Sequence, residues 1–284
     1  MSTRKYLLQL APIALFGLLA ATDAAALTCT TSAVTINQIS NSNGGGVISN
    51  QTINATSCYG VDGANDVGNL KPTDNLGYAG DGLLNGEGGY VSPTQFISTS
   101  QLQDLAGDGT ANDPGWMFLG SLENGAWDSP NAPLDISSLL NISMTTDKGG
   151  TSGTWTITTA TNIVQVVQAV LGRNAFDHLA IVLKAANGYV IYDFDFNLIG
   201  AALGGGFDFE TAYSFTGTWE NLDFTNQKDK QQALSHMSIW VRDPLPPEPG
   251  TPNNNEVPAP GTLALTALGL LLLGRGMRKR QPEC

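Results

Sequence analysis

Apolar and polar residues alternate along several short stretches of the chain, with the two-residue period of a β-strand that has one buried face. In the clearest stretch, four large apolar residues share one face and two carboxylates share the other: Val190, Tyr192, Phe194 and Phe196 against Asp193 and Asp195. Similar patterns predict further strands near 34–36, 47–53, 116–122, 142–144, 151–157, 207–215 and 237–241. Together these patterns predict an all-β protein, a single antiparallel β-sandwich domain.

Four segments depart from this alternation. The run 179–183 is continuously apolar, which predicts a strand buried on both faces. Residues 163–171 place apolar side chains on one helical face, but their β-branched content favours a strand, so both interpretations stay open. Residues 58–115 are rich in Gly, Asn and Asp and predict turns and loops. Prolines recur through 243–256, which predicts an extended, semi-rigid linker.

The N-terminal end has the layout of a secretory signal peptide. Arg4 and Lys5 form a charged start, and residues 6–21 are predominantly apolar. A run of alanines ending at Ala26 provides the small residues that a signal peptidase needs. We therefore expect residues 1–26 to be a signal peptide that is cleaved after Ala26.

The C-terminal end combines three features in order. A proline-containing motif comes first, at Val257, Pro258, Ala259 and Pro260. The apolar run 263–273 follows and is shorter than the roughly 20 residues of a comfortable transmembrane helix. A basic end completes the segment, at Arg275, Arg278, Lys279 and Arg280. Because basic residues stay on the cytoplasmic side of a membrane, residues 257–280 predict a sorting helix that inserts transiently into the inner membrane, with a permanent anchor as the alternative.

This C-terminal layout resembles the PEP-CTERM sorting signal of exported proteins in Gram-negative bacteria, although Ala259 replaces the usual glutamate. Short sequences in 150–242 also resemble the exported domain of that family: Gly153-Thr-Trp155, Leu183-Lys-Ala185, Tyr192-Asp-Phe-Asp195 and Leu234-Ser-His236. The resemblance implies processing by an exosortase, a membrane enzyme, and release to the cell surface or extracellular matrix. It also implies association with exopolysaccharide in a biofilm. The exported β-sandwich domain would then be 27–242.

Export determines how the cysteines are interpreted. Cys29 and Cys58 lie in the exported part, and Cys284 lies beyond the sorting motif. Because exported domains fold under oxidising conditions, we predict a Cys29–Cys58 disulfide, with two free thiols as the alternative. A lipoprotein signal fits poorly, because Thr28 directly precedes Cys29.

The charge of the chain limits its partners. Residues 27–256 hold seven basic and 23 acidic side chains, a net charge near −16. Such a body repels nucleic acid and anionic lipid, so no nucleic-acid partner is expected. It could attract Ca²⁺, and Asp108, Asn112 and Asp113 offer oxygen donors, but this stretch lacks the glycine and glutamate of an EF-hand. Ordinary turns are the alternative, and we expect no cofactor.

The sequence offers little for catalysis. The histidines are His178 and His236, and Ser235 cannot pair with His236 because neighbouring residues on a strand point to opposite faces. Asp193 and Asp195 lie roughly 6–7 Å apart on one strand face. A glycosidase could use that spacing, but a solvated strand face is the commoner explanation. We predict a non-enzyme with a structural or interaction role.

Two other functions stay open. The first alternative is a carbohydrate-binding module, in which exposed aromatic rings stack on sugars. Its candidate residues are Tyr59, Tyr78, Tyr90, Trp127 and Trp240, although aromatic residues more often fill the core of a small β domain. The second alternative is a secreted hydrolase, which the sequence supports less because no recognisable nucleophile or metal motif is present.

Overall fold

The computed structural model describes residues 25–44, 46–63, 71–123, 126–128, 138–171, 176–205, 211–226 and 228–243. Most of the predicted signal peptide, the linker after residue 243 and Cys284 lie outside these residues. The predicted sorting signal lies outside them as well: Val257, Pro258, Ala259, Pro260, Arg275, Arg278, Lys279 and Arg280. The structure is mostly β, with 43% strand and 14% helix in two antiparallel sheets, as the alternating pattern predicts.

The strands of each sheet are all antiparallel to their neighbours. Sheet 1 has seven strands, in the order β1 (Ala25–Leu27), β5 (Ser57–Asp62), β11 (Gly188–Asp195), β10 (His178–Ala185), β13 (Leu234–Arg242), β6 (Trp116–Glu123) and β7 (Ala126–Asp128). Sheet 2 has six strands. Five of them lie in the order β3 (Val47–Ser49), β2 (Val34–Asn41), β12 (Tyr213–Glu220), β9 (Ser152–Thr159) and β8 (Leu140–Met144). The sixth, β4 (Ile53–Asn54), pairs with β2.

Two short helices connect strands at the ends of the sheets. Residues 163–171, for which the sequence left helix and strand open, form helix α1 (Ile163–Leu171). Helix α2 (Phe196–Ala202) follows β11 directly. The prediction that Phe196 continues the strand is therefore wrong, because the Asp195 carboxylate accepts hydrogen bonds from the backbone of Asn197 and Leu198 and starts a helix there.

The main hydrophobic core lies between the two sheets. Sheet 2 contributes buried residues such as Trp155 and Trp219, and sheet 1 contributes Ile181, Tyr192 and Ile239. Val190, Tyr192 and Phe194 all face this core, which confirms the predicted apolar face of β11. Since the two sheets share one continuous core, they form a sandwich-like fold.

A third layer covers the opposite face of sheet 1. The segment 71–115 contains 3-10 turns but no strand, and its buried residues Leu83, Leu84 and Val91 pack against Trp116 and Trp240 of the sheet. This covering confirms that β10 is buried on both faces. The same covering buries the outer face of β13.

Two asparagine side chains close the part of the β6 edge that β7 leaves open. Asn85 donates to the carbonyl of Trp116 over 2.8 Å and accepts from its N–H over 3.1 Å. Asn75 makes the same pair of bonds with Phe118, over 3.0 and 2.7 Å. Because each amide replaces a residue of a missing neighbouring strand, the 71–115 segment prevents this edge from pairing with another chain.

Candidate functional site

Four ionisable residues meet at one end of sheet 1, on the face that the 71–115 segment covers. We call Asp177, His178, Asp193 and Arg242 the charge cluster. Their exposed fractions are 5%, 2%, 2% and 0%. The ring of Trp116 lies against His178, with 5.7 Å between ring centroids. The prediction that Asp193 lies on a solvated strand face is therefore wrong.

The cluster contains three ion pairs, two of which involve the ring of His178. Nδ1 of His178 lies 2.9 Å from a carboxylate oxygen of Asp193, and its Nε2 lies 3.9 Å from Asp177. Arg242 donates from Nη1 to Asp177. Its other donors bind backbone carbonyls, from Nε to Pro114 over 2.9 Å and from Nη2 to Gln101 over 2.8 Å. Arg242 thus ties the 71–115 segment to the central strands of sheet 1.

Burial and charge act in opposite directions on these groups. Burial raises the pKa of the Asp193 carboxyl, and hydrogen bonding to His178 only partly offsets this. Burial raises the pKa of Asp177 in the same way. For His178, burial favours the neutral ring, but the hydrogen bond and the negative charge of Asp193 outweigh it, so its pKa lies above the ordinary value. The imidazole of His178 and the guanidinium of Arg242 thus lie opposite the two carboxyl groups.

This geometry suits a structural role better than acid–base chemistry. Among the residues that the structure describes, no hydroxyl or thiol contacts a ring nitrogen of His178. Asp195, the second carboxylate of the proposed glycosidase spacing, is half-buried and starts helix α2 instead. The two carboxylates consequently have separate side-chain and backbone partners.

The acidic residues of the 71–115 segment hold its turns. Asp81 accepts from the backbone N–H groups of Thr73 and Asn75 over 2.6 and 2.8 Å. Asp113 accepts from Leu105 over 2.7 Å, among others. Such bonds are what the turn interpretation predicts. Within the described residues, no group of three or more His, Cys, Asp or Glu is placed to hold a metal ion; calcium binding stays a hypothesis.

The aromatic residues proposed to stack on sugars differ in their exposure. Trp240 is only 1% exposed and packs against Phe118, with 5.1 Å between ring centroids. Its proposed role in sugar stacking is therefore wrong. Tyr59 and Tyr90 are half-buried and pack against the second core under the 71–115 segment. Trp127 is half-buried against the main core.

The outer face of sheet 2 carries a regular array of small polar side chains, which the sequence analysis did not identify. Its centre, here called the hydroxyl face, consists of Thr154, Thr156 and Thr158 on β9 and Ser214, Thr216 and Thr218 on β12. All six are half-buried or exposed. The alternation of Ser or Thr with larger residues in both strands was the available signal, but only the pairing of the strands brings them together.

Register places these hydroxyl groups side by side. Thr216 pairs with Thr156, and the row continues to Gln38 on β2 and Ser143 on β8. Around the edge of the array, hydroxyls bond to each other, for example Thr218 to Thr35 over 2.7 Å. Among the described residues, the hydroxyls of Thr156 and Thr216, at its centre, make no hydrogen bond to a side chain or backbone group.

The predicted disulfide is confirmed. Cys29, which follows β1, is joined to Cys58 on β5, and their Cα atoms are 6.1 Å apart. Both side chains pack against the main core. The bridge fastens the N-terminal strand of the described chain beside the strand to which it is hydrogen-bonded.

Comparisons of the chain with protein-family models, with curated proteins and with solved structures found no match. Among the helices of the described residues, none has the length and apolar character needed to span a membrane.

Proposed function

We propose that this chain is an exported, non-catalytic protein of the bacterial cell surface or extracellular matrix, associated with exopolysaccharide. The observation that carries the proposal is the Cys29–Cys58 disulfide. Structural disulfides persist in oxidising compartments outside the cytoplasm. The bridge therefore supports the export that residues 1–26 imply, and export supports processing of the 257–280 segment by an exosortase.

The acidic surface suggests how the protein would contact an acidic polysaccharide. Several carboxylates of the described residues are exposed, among them Asp62, Asp74, Asp108, Asp128 and Asp229. Two polyanions repel each other unless cations screen or bridge their charges. The proposal consequently includes weak binding that depends on calcium or magnesium.

Titration of the purified mature protein with polygalacturonate, with and without EDTA, tests this role. We expect binding in the presence of Ca²⁺ that EDTA abolishes. Failure to bind either polygalacturonate or polysaccharide from the producing cells at millimolar sugar concentration would count against the matrix association.

The carbohydrate-binding alternative predicts a different result in the same experiment. A neutral oligosaccharide would bind without metal, and a Trp127→Ala substitution would weaken it by about 1 kcal/mol or more. Trp127 is the test residue because it is the half-buried tryptophan of the proposed aromatic set.

A further inference from the structure

We propose that the outer face of sheet 2, centred on the hydroxyl face, binds neutral polysaccharide chains. This inference rests on the proposed extracellular function and deepens it by naming a second class of polymer and the surface that holds it. The acidic polymer of the previous section would bind elsewhere, through exposed carboxylates and cations.

Charged residues are nearly absent from the strands of sheet 2. Glu220, at the end of β12, is the one charged residue in the six strands of sheet 2, all of which the structure describes. The body as a whole has a net charge near −16. An uncharged face on such an acidic protein does not attract cations or cationic partners. A neutral partner can cover this face without burying a charge, so binding does not carry the free-energy cost of removing a charge from water.

The groups on the hydroxyl face match the hydrogen-bonding chemistry of a sugar. Each Ser or Thr hydroxyl offers one donor and two acceptor positions. A sugar hydroxyl offers the same donor and acceptor positions, so either the protein or the sugar can donate the hydrogen bond. Because the hydroxyls of Thr156 and Thr216 have no bond to a described residue, a ligand can use them without breaking a hydrogen bond within the described part of the chain.

Strand pairing spaces the residues of the hydroxyl face regularly. Neighbouring strands lie about 4.8 Å apart, and same-face residues along a strand about 6.8 Å apart. Threonine side chains are stiff at χ1, since two heavy atoms branch at Cβ. The hydroxyls are therefore held at fixed positions, which lowers the entropy lost when an extended polymer binds them.

Each such contact is weak, and the number of contacts must supply the affinity. A hydrogen bond that replaces one to water contributes little on its own. A polymer that contacts several hydroxyls at once gains from effective concentration. Binding should therefore increase with chain length, and short oligosaccharides should bind poorly.

Native gel electrophoresis of the mature protein in gels that contain a neutral polymer tests the proposal. The probes are dextran, hydroxyethylcellulose and galactomannan, each in short and long chains. We expect the long chains of at least one probe to slow the protein, in the presence of EDTA and at all salt concentrations, because no charge takes part.

The decisive variant is the double substitution Thr156→Val and Thr216→Val, which deletes both central hydroxyls and keeps the β-branched shape. We expect about tenfold weaker binding. The matched control is Thr73→Val with Thr110→Val, on exposed threonines of the 71–115 segment, and it should bind like the unchanged protein. Circular dichroism and thermal melting establish that both variants are folded.

The outcomes separate this proposal from the others. Lack of retardation by all three neutral polymers, or equal retardation of the valine variant, overturns it. Binding that is lost with Trp127→Ala instead would assign neutral sugars to the aromatic surface. A change in oligomeric mass on valine substitution would show that the face joins two copies. Calcium-dependent polygalacturonate binding should be unchanged in the valine variant. Failure of the neutral-polymer proposal can therefore be distinguished from failure of the proposed function.

Discussion

The imidazole of His178 and the carboxylate of Asp193 lie 2.9 Å apart on neighbouring strands, and each residue is at most 2% exposed. The pair is buried because the 71–115 segment covers the outer face of sheet 1. Arg242 and Asp177 complete a cluster in which opposite charges compensate each other. The resulting contacts predict measurable effects on stability.

The first prediction concerns pH. The folded protein holds the pKa of His178 above its ordinary value of 6.5, so it binds this proton more tightly than the unfolded chain does. The associated stabilisation is complete below about pH 6.5 and is lost as the pH rises through the folded-state pKa. The pKa values of Asp177 and Asp193 are also raised in the folded protein, so their contribution to stability likewise declines as the pH rises above their ordinary value of 3.8. We expect the urea midpoint to fall as the pH rises above 6.5.

Two variants test the assignment of this pH dependence. His178→Gln should remove the decline above pH 6.5, and Asp193→Asn should weaken it. Asp108→Asn, which changes an exposed turn carboxylate, should leave it intact. A decline that persists unchanged in His178→Gln would show that another group is responsible.

The second prediction concerns Arg242. Replacing it with Met leaves His178 as the one cation of the charge cluster for two buried carboxylates, which we expect to cost about 3–5 kcal/mol of unfolding free energy. Adding Asp177→Asn should recover a large part of that loss, because the uncompensated charge disappears. Urea unfolding of the two single variants and the double variant measures the coupling. Purely additive losses would contradict the ion pair.

The third prediction concerns the edge of β6. In Asn75→Asp, a carboxylate oxygen replaces the amide that donates to the carbonyl of Phe118. The side chain keeps its shape but leaves a buried carbonyl without a donor, so we expect a loss of about 1–3 kcal/mol. Amide hydrogen exchange at Phe118 should also become faster. The control is Asn43→Asp on an exposed turn of sheet 2, where neither quantity should change appreciably.

The fourth prediction concerns the disulfide. Cys29 and Cys58 are 29 residues apart, and opening a loop of that size should cost about 3–4 kcal/mol. Urea unfolding with and without reductant measures the difference, which should vanish in a variant with serine at both positions. Labelling of both thiols in the folded, unreduced protein would contradict the bridge.

The fifth prediction concerns processing. Both ends have the layout of segments that are removed, so the extracellular protein should begin at Leu27 and lack the apolar run 263–273. Intact mass spectrometry of the secreted form decides this. A mass that includes 263–280 would support the permanent membrane anchor. A mass that includes Ala25 and Ala26 would show that the whole of strand β1 is retained.

Local patterns in the sequence determined most of the strands and the disulfide. The prediction of loop for 58–115 is wrong at its start, where β5 (Ser57–Asp62) forms a strand because it pairs with β1 and β11. The two-residue period of Val190, Tyr192 and Phe194 identified the core-facing side of β11, because a strand alternates its side chains whatever its neighbours are. Export identified Cys29 and Cys58 as partners, since Cys284 lies beyond the sorting motif. The sorting signals are likewise local, and they are still predictions.

Only the tertiary structure decided what covers each outer face. A polar outer face has the same alternating sequence whether it meets water or another layer. Asp193 and Trp240 are buried because a segment without strands, 71–115, packs over them. The hydroxyl face likewise depends on pairing between β9 and β12, with Thr156 beside Thr216. These residues are distant in the chain, and a local period carries no information about such contacts.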